Sequence, residues 1–342
     1  MKAIVKTGPT AGFEMVYVPI PPVGKNEVLI KVWVASICGT DLHVYQWDNW
    51  AKERINEFPR IVGHEFSGKV EAVGENVKSV EFGDMVSAET HIFCGTCPTC
   101  LERKFHLCQN TKLIGIDRSG CFAEYIVLPE RVIWKNDPRL HPQLASIQEP
   151  LGNAVYCALV EDISAKTVAI FGDGPAGLFT SEIARVSGAK EIYVIGAEEY
   201  RLDIAKKLGA KTINANLVEP VNYILEATSG LGVDVSLEMS GAPTAIENSV
   251  FVAKKGGRVC AFGINPYLLA RIHWNHIIFS GLTLYGIHGR IIFDTWIKVK
   301  DLLQSGKLNL WPIITHRFSM DRYEEAFQLS ASRKCGKIIL FP

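Results

Sequence analysis

The sequence has no excess of charge of either sign and no long hydrophobic run. Lys plus Arg and Asp plus Glu both number 36, so the formal net charge is zero when histidine is neutral. A chain with this balance lacks the basic surface that nucleic acids or anionic membranes attract. It contains no stretch of 18 apolar residues, and its N-terminus has no apolar core of signal-peptide length. We therefore expect no nucleic-acid partner and no membrane association.

Proline and glycine are also not in excess, and disulfide-type spacing of cysteine is absent. A composition of 48% hydrophobic and 21% charged residues is typical of soluble globular proteins. A chain of 342 residues is too long for one ordinary core and predicts two domains. Four of the nine cysteines lie within residues 94–108, which favours metal chemistry in a reducing compartment. We predict a cytoplasmic protein.

A thiolate, an imidazole and a carboxylate occur close together at Cys38, His64 and Glu65. Sulfur, nitrogen and oxygen ligands together suit zinc, and a three-residue set that leaves one position open is typical of catalytic sites. Thr40 and His43 follow the thiolate closely enough to pass a proton away from a metal-bound alcohol. Taken singly, each residue is more commonly a core or surface residue without a ligand. The prediction of a catalytic zinc therefore depends on the whole set.

A second cluster has the spacing C-x2-C-x2-C-x7-C, formed by Cys94, Cys97, Cys100 and Cys108. Four thiolates in a tight loop can enclose one tetrahedral zinc ion, and a closed site of this kind is structural. An iron–sulfur cluster is the alternative, but the bacterial run ends in x3-C-P, which this chain lacks. We therefore predict two zinc ions per chain, one catalytic and one structural.

The spacing of the predicted strands and helices indicates an α/β chain with two kinds of domain. Residues 1–150 alternate short strands with glycine-containing turns, which predicts a partly open β-barrel that carries the zinc sites and is completed by residues 291–342. Residues 151–290 alternate strands and helices, which predicts a doubly wound parallel sheet.

A glycine motif, Gly172-Asp173-Gly174-Pro175-Ala176-Gly177, directly follows a predicted strand and begins a predicted helix. In this setting the glycines allow a tight turn and close approach of the backbone to a pyrophosphate, which predicts a dinucleotide site. The acidic residue expected at the end of the next strand is replaced by Gly196. Arg201 could pair with a 2′-phosphate there, whereas Glu198 and Glu199 would repel it. We favour NAD, and NADP remains the alternative.

Together these motifs resemble the zinc-dependent medium-chain dehydrogenase/reductase superfamily across essentially the whole chain. The CGTDxH, GHE, four-cysteine and GxGPxG segments occur in that family's order and spacing. Further marks are His91 and the segments at 149–154, 286–296 and 314–318. The resemblance implies a GroES-like catalytic domain and a Rossmann domain.

The resemblance also implies roles for individual residues. Cys38, His64 and Glu65 would hold the catalytic zinc, with Glu149 at the metal's edge, and Thr40 and His43 would form a proton relay. His91 would contact the substrate. Beyond Gly172, Gly174, Ala176, Gly177 and Arg201, the implied cofactor contacts are Gly263, Ile264, Asn265, Ile287 and His288.

The implied reaction is oxidation of a small secondary alcohol such as L-threonine by hydride transfer to a nicotinamide cofactor, in a homotetramer. Polyols and 2,3-butanediol are alternative substrates. A zinc-ribbon protein that binds nucleic acid through Cys94–Cys108 is an alternative of another class, which the zero net charge disfavours. A non-catalytic relative is a third alternative, which the presence of Thr40 and His43 disfavours.

Overall fold

A computed structural model describes residues 1–265, 267 and 269–342, and the chain divides into two compact units. The first unit comprises Met1–Pro150, His316–Ser332 and Lys337–Pro342. The second comprises Leu151–Thr315 and Arg333–Gly336. The predicted division has the same boundary after residue 150. Residues 291–315, which the prediction placed with the barrel, belong to the second unit.

The first unit is built mainly of antiparallel strands. Their bounds are Lys2–Lys6 (β1), Glu14–Tyr17 (β2), Glu27–Ser36 (β3), Arg60–Ile61 (β4), Glu65–Val73 (β5), Met85–Ala88 (β6), His91–Ile92 (β7), Lys112–Leu113 (β8), Tyr125–Pro129 (β9) and Ile133–Lys135 (β10). Near the C-terminus, Ile314–Ser319 and Lys337–Phe341 form two further strands, numbered β17 and β18 in chain order.

One long strand, β3, is the centre of this unit. Its sequence is rich in β-branched residues and nearly all of its inward side chains are buried. The larger sheet has the strand order β10-β6-β5-β3-β18-β17, and β9 also pairs with β3. Smaller sheets have the orders β2-β1-β4 and β7-β8. The predicted GroES-like, barrel-type domain is confirmed.

Short helices connect these strands. They are Gly39–Gln46 (α1), Asn49–Arg54 (α2), Pro98–Leu101 (α3), Pro142–Ser146 (α4) and, near the C-terminus, Tyr323–Ala331 (α12). Helix Gln148–Ala158 (α5) begins in the first unit and ends in the second. Four 3-10 turns lie at Phe105–Leu107, Glu130–Val132, Trp311–Ile313 and Met320–Arg322.

The second unit is a parallel sheet with connecting helices. Its strands are Thr167–Phe171 (β11), Glu191–Gly196 (β12), Lys211–Asn214 (β13), Val233–Glu238 (β14), Ala253–Ala261 (β15) and Thr283–Gly286 (β16). Its helices are Pro175–Val186 (α6), Glu199–Lys207 (α7), Pro220–Ala227 (α8), Pro243–Phe251 (α9), Trp274–Ser280 (α10) and Asp294–Gln304 (α11).

The strand order β13-β12-β11-β14-β15-β16 is the 3-2-1-4-5-6 order of dinucleotide-binding folds. Apolar side chains of the strands form the core, among them Phe171, Tyr193 and Ile213. The predicted Rossmann sheet is therefore confirmed. Of the helices that the structure describes, none combines the length and apolarity that a membrane crossing requires.

Candidate active site

The candidate metal set of Cys38, His64 and Glu65 lies where β3, α1 and β5 meet. Cys38 is the residue before α1, and Glu65 is the first residue of β5, paired across the sheet with Ser36. Ligand atoms of Cys38, His64 and Glu65 all lie within 4.8 Å of one another. Gly63 makes this possible because its φ is +86° and a Cβ there would lie 2.3 Å from the Phe122 ring. The structure thus brings all three predicted ligands together.

The donor set fits a cation such as zinc. Glu65 is fully buried, and its Oε1 has no hydrogen-bond partner among the described residues, so an ion could occupy that position. The other oxygen, Oε2, accepts hydrogen bonds from Ser36 and Lys337. Burial raises the pKa of Glu65, although Lys337 opposes the shift. A soft thiolate, an imidazole and a carboxylate are ligands that zinc accepts.

Asp41 holds two members of this set in place. Its Oδ2 accepts the Cys38 N–H at 2.9 Å, and its Oδ1 lies 3.4 Å from His64 Nδ1. Burial alone would lower the pKa of His64, but the negative charges of Asp41 and Cys38 raise it well above the usual value. The pocket therefore stabilises positive charge, which a divalent cation would supply in place of the proton.

Glu149 and His91 each have a polar partner on or beside β7. Thr90 Oγ1 donates to Glu149 Oε1 at 2.9 Å, and the charge of Glu149 is close enough to contribute to the raised pKa of Glu65. His91 Nδ1 lies 2.8 Å from Glu89 Oε1, which also accepts the His91 backbone N–H. Glu89 has no solvent exposure. These contacts fix the orientation of the Glu149 carboxylate and the His91 ring.

The two predicted relay residues lie on α1, and both are half-buried. His43 Nδ1 lies 2.5 Å from Asp48 Oδ2, while Asp48 Oδ1 accepts the Ala51 N–H and so caps α2. Because Asp48 engages Nδ1, the Nε2 atom of His43 is the ring nitrogen available for proton exchange. The Asp48 carboxylate thus orients the His43 ring. Thr40 is placed one helical turn before His43.

The four cysteines of the second cluster also converge. Their sulfur atoms all lie within 4.8 Å of one another. Backbone N–H groups point at them: Cys108 Sγ accepts from Cys94 N at 3.2 Å, and Cys94 Sγ accepts from Cys97 N at 3.4 Å. Hydrogen bonds from the Thr96 and Cys97 amides lower the pKa of Cys94 to about 5. A thiolate cage of this kind fits a closed zinc site.

The glycine motif lies at the carboxyl end of β11, as predicted. A Cβ on Gly177 would lie 1.9 Å from the Gly172 oxygen, so only glycine allows this turn. At Gly174, the residue before α6, a Cβ would meet nothing within 4 Å. This open space beside the helix N-terminus fits a pyrophosphate. Ala176 is in the first turn of the helix, where its carbonyl accepts from Thr180.

The remaining predicted cofactor residues follow neighbouring strands at the same edge of the sheet. Gly263, Ile264 and Asn265 follow β15, and Ile287 and His288 follow β16. Ile264 is exposed, whereas Ile287 is buried and donates its N–H to Ala261 O. The structure brings these segments to the edge where nucleotides bind in such folds.

Arg201 does not lie free at this edge. Its Nε donates to Cys335 O at 2.7 Å, and its Nη1 lies 3.9 Å from Asp173 Oδ1. Gly196, at the end of β12, has no room for a side chain, because a Cβ would lie 2.3 Å from Asp173 Oδ2. The Asp173 side chain therefore fills the space beside Gly196.

Sequence reasoning missed several of these groups. Asp41 could have been found, because an acidic residue three positions after a helix-capping residue is a known N-terminal signal. Asp48 also had a local signal as a helix cap. Lys337 and Asp173 had none, because their partners are distant in the sequence.

Comparisons with known proteins agree with this geometry. The model of the alcohol dehydrogenase GroES-like domain matches residues 24–138, and that of the zinc-binding dehydrogenase domain matches residues 175–305. An L-threonine 3-dehydrogenase of Bacillus subtilis is 46% identical over 100% of this chain and 99% of its own length. Other curated L-threonine 3-dehydrogenases, from bacteria and archaea, are 44% to 48% identical.

Two solved structures share the fold at lower identity. A zinc-binding dehydrogenase of Sinorhizobium meliloti bound to NADP is 29% identical, with a TM-score of 0.92 over 100% of this chain and 99% of that one. An alcohol dehydrogenase of Escherichia coli in complex with NADH is 27% identical, with a TM-score of 0.91 over the same shares.

Proposed function

Since this chain belongs to the zinc-dependent medium-chain dehydrogenase/reductase superfamily, we propose that it oxidises L-threonine at its 3-hydroxyl to 2-amino-3-oxobutanoate. The observation that carries the proposal is the convergence of half-buried Cys38 with buried His64 and Glu65, in a chain matched over its full length by threonine dehydrogenases. The reaction removes a hydride from the carbinol carbon and a proton from its hydroxyl.

The chain's own residues supply binding and proton transfer. Bound zinc would act as a Lewis acid on the substrate hydroxyl, and the nicotinamide would accept the hydride. Cys38, His64 and Glu65 would hold the metal, and Cys94, Cys97, Cys100 and Cys108 would hold a second, structural zinc. Thr40 and His43 would move the hydroxyl proton to solvent, with Asp48 orienting the His43 ring.

Two further groups are placed to act on the substrate. His91, oriented by the buried Glu89, would contact the amino or carboxyl group of threonine. Glu149, held by Thr90, would assist proton transfer or exchange as a metal ligand. Burying a polar side chain costs free energy unless it has a partner. A role in the reaction would explain why Glu149 and His91 are buried here.

We infer that NAD is the natural cofactor. Gly172, Gly174, Ala176 and Gly177 would receive its pyrophosphate, and Gly263, Ile264, Asn265, Ile287 and His288 would contact its nicotinamide half. The preference for NAD over NADP is supported by the carboxylate of Asp173 beside Gly196, where a 2′-phosphate would meet negative charge.

We also infer a cytoplasmic homotetramer. None of the nine cysteines, all of which the structure describes, forms a disulfide, which favours a reducing compartment. Strand β16 pairs on one side only within the described part of the sheet, and Leu284 of this strand and Trp274 and Phe279 of the preceding helix α10 are exposed. An exposed apolar surface next to an open strand edge favours contact with a second copy of the chain.

Initial rates of NADH formation test the proposed reaction. Zinc-loaded protein should oxidise L-threonine with a higher kcat/KM than 2,3-butanediol or polyols, and Cys38→Ser should abolish that activity. The matched control is Cys157→Ser, a buried thiol outside both metal sets. A higher kcat/KM for a diol would replace threonine as the substrate while leaving the chemistry unchanged.

A further inference from the structure

The carboxylate of Asp173 lies where an acidic residue at position 196 would place its own. A Cβ built on Gly196 lies 2.3 Å from Asp173 Oδ2 and 2.4 Å from Asp173 Cβ. Strands β11 and β12 are adjacent and pair Phe171 with Ile195, so Gly196, the last residue of β12, and Asp173, just after β11, are neighbours. Position 196 therefore accepts only glycine while Asp173 occupies this space.

Asp173 also accepts hydrogen bonds from backbone groups that could otherwise bind a phosphate. Its Oδ2 accepts the N–H groups of Ala197 and Glu198, each at 2.8 Å, at the start of α7. Its Oδ1 lies 3.9 Å from Arg201 Nη1. Two backbone amides at a helix N-terminus and a guanidinium are a typical set of partners for a phosphate dianion.

We propose that Asp173 is the residue that selects NAD over NADP, replacing the acidic residue that position 196 lacks. This rests on the proposed use of a nicotinamide cofactor. The side chain withholds both amides from a 2′-phosphate and places a negative charge beside it. Oδ1, whose contact among the described residues is the long one to Arg201, is left to accept a hydrogen bond from a ribose hydroxyl.

The neighbouring glutamates are a weaker source of selection. Glu199 is exposed and its Oε2 accepts from Asn214 at 3.0 Å, while Glu198 is half-buried. Charges in contact with solvent are screened by water and salt. The Asp173 side chain is only 12% exposed, so its charge is screened less.

Binding measurements without substrate test the proposal. Dissociation constants for NAD and NADP would be measured by calorimetry on zinc-loaded protein, together with 5′-AMP and 2′,5′-ADP as fragments that differ in the 2′-phosphate. Asp173→Asn keeps an oxygen that can accept from the two amides but removes the charge; Asp173→Ala removes both. We expect the ratio of the dissociation constant for NADP to that for NAD to fall about tenfold or more in both variants.

The controls are Glu198→Gln and Glu199→Gln, which should leave that ratio within about twofold of wild type. An unchanged ratio in folded Asp173→Asn, a fall caused by either glutamate variant, or a wild-type preference for NADP would overturn the proposal. If Asp173→Ala does not fold, Asp173→Asn decides. NAD binding without threonine oxidation would contradict only the proposed substrate, so the two failures are distinguishable.

Discussion

Lys337 donates a hydrogen bond to the carboxylate of Glu65, and both side chains are almost completely buried, with 2% and 0% exposure. Lys337 Nζ also donates to Ile37 O at 2.9 Å. The nearby charge of Glu65 raises the pKa of Lys337 even though burial opposes this. A predicted zinc ligand is thus held by a cation from the last strand of the chain.

Replacing this cation should destabilise the metal-free protein most. Lys337→Met leaves Glu65 buried without its charged partner, a loss of about 3–5 kcal/mol in the free energy of unfolding. Bound zinc would offset part of the loss, because it compensates the same carboxylate. Denaturant unfolding of zinc-loaded and chelator-treated protein measures the loss of stability with and without bound zinc. Lys337→Arg, which keeps the charge, is the control; a loss of equal size with and without zinc would contradict the explanation.

The four-cysteine cluster should contribute to stability and not to the reaction. Cys97→Ser is expected to release about one zinc per chain and to lower the melting temperature, because structural zinc sites contribute directly to folding. Metal analysis and thermal unfolding check this. Cys157→Ser serves as the control for loss of a buried thiol. Two zinc ions per chain and an unchanged melting temperature in Cys97→Ser would show that this cluster binds no structural metal.

Loss of the His43 ring should slow turnover without removing metal or cofactor. We expect His43→Ala to reduce kcat by roughly 10²-fold, the usual scale for a proton-transfer group, with partial recovery at high pH as hydroxide takes the proton. Asp48→Ser keeps a cap for the Ala51 amide but cannot orient His43, so it should show a smaller loss. A pH–rate profile identical to wild type would remove His43 from proton transfer.

Adding a side chain at Gly196 should not improve NAD binding. Gly196→Asp would introduce the acidic residue expected at the end of this strand, but its Cβ would lie 2.3 Å from Asp173 Oδ2. We therefore expect a lower melting temperature and weaker NAD binding than wild type. The double variant Gly196→Asp with Asp173→Ala, which clears the space, should recover both. Tighter NAD binding by the single variant would mean that Asp173 moves aside freely.

Because of Lys6, we expect the free energy of unfolding to depend on pH in the alkaline range. Burial lowers the pKa of Lys6 from 10.5 to about 8, although its Nζ donates to Gly12 O at 3.1 Å. The unfolded chain therefore binds the proton more tightly between pH 8 and 10.5, and stability rises with pH in that interval. Relative to Lys6→Met, the wild-type free energy of unfolding should increase there by at most about 3 kcal/mol. Parallel pH dependences of the two proteins would exclude this effect.

Local patterns predicted much of this molecule. A glycine motif directly after a strand, and four cysteines at fixed spacing, each specify their geometry within a few turns of chain, so the sequence is sufficient to place them. The doubly wound parallel sheet also followed from the alternation of strands and helices, whereas the order of its strands was not predicted.

Contacts between residues that are distant in the sequence could not be predicted in the same way. That Asp173 replaces a residue at position 196 depends on the adjacency and register of β11 and β12. Arg290 likewise donates to Asn153 Oδ1 at 2.7 Å, and its side chain lies so close to Gly152 that a Cβ there would be 2.6 Å from Arg290 Cδ. Each sequence motif contains only one of the two contacting residues, and its residue type does not reveal which distant residue it will contact.

The position of Lys337 has a consequence for biosynthesis. Strand β18 pairs Ile339 with Ser36 and Leu340 with Ala35, so it completes the sheet next to the Glu65 pocket. While the ribosome is still translating the second unit, Cys38, His64 and Glu65 already exist but lack both this strand and its lysine. The pocket can therefore reach its final charge balance only after translation has passed Lys337.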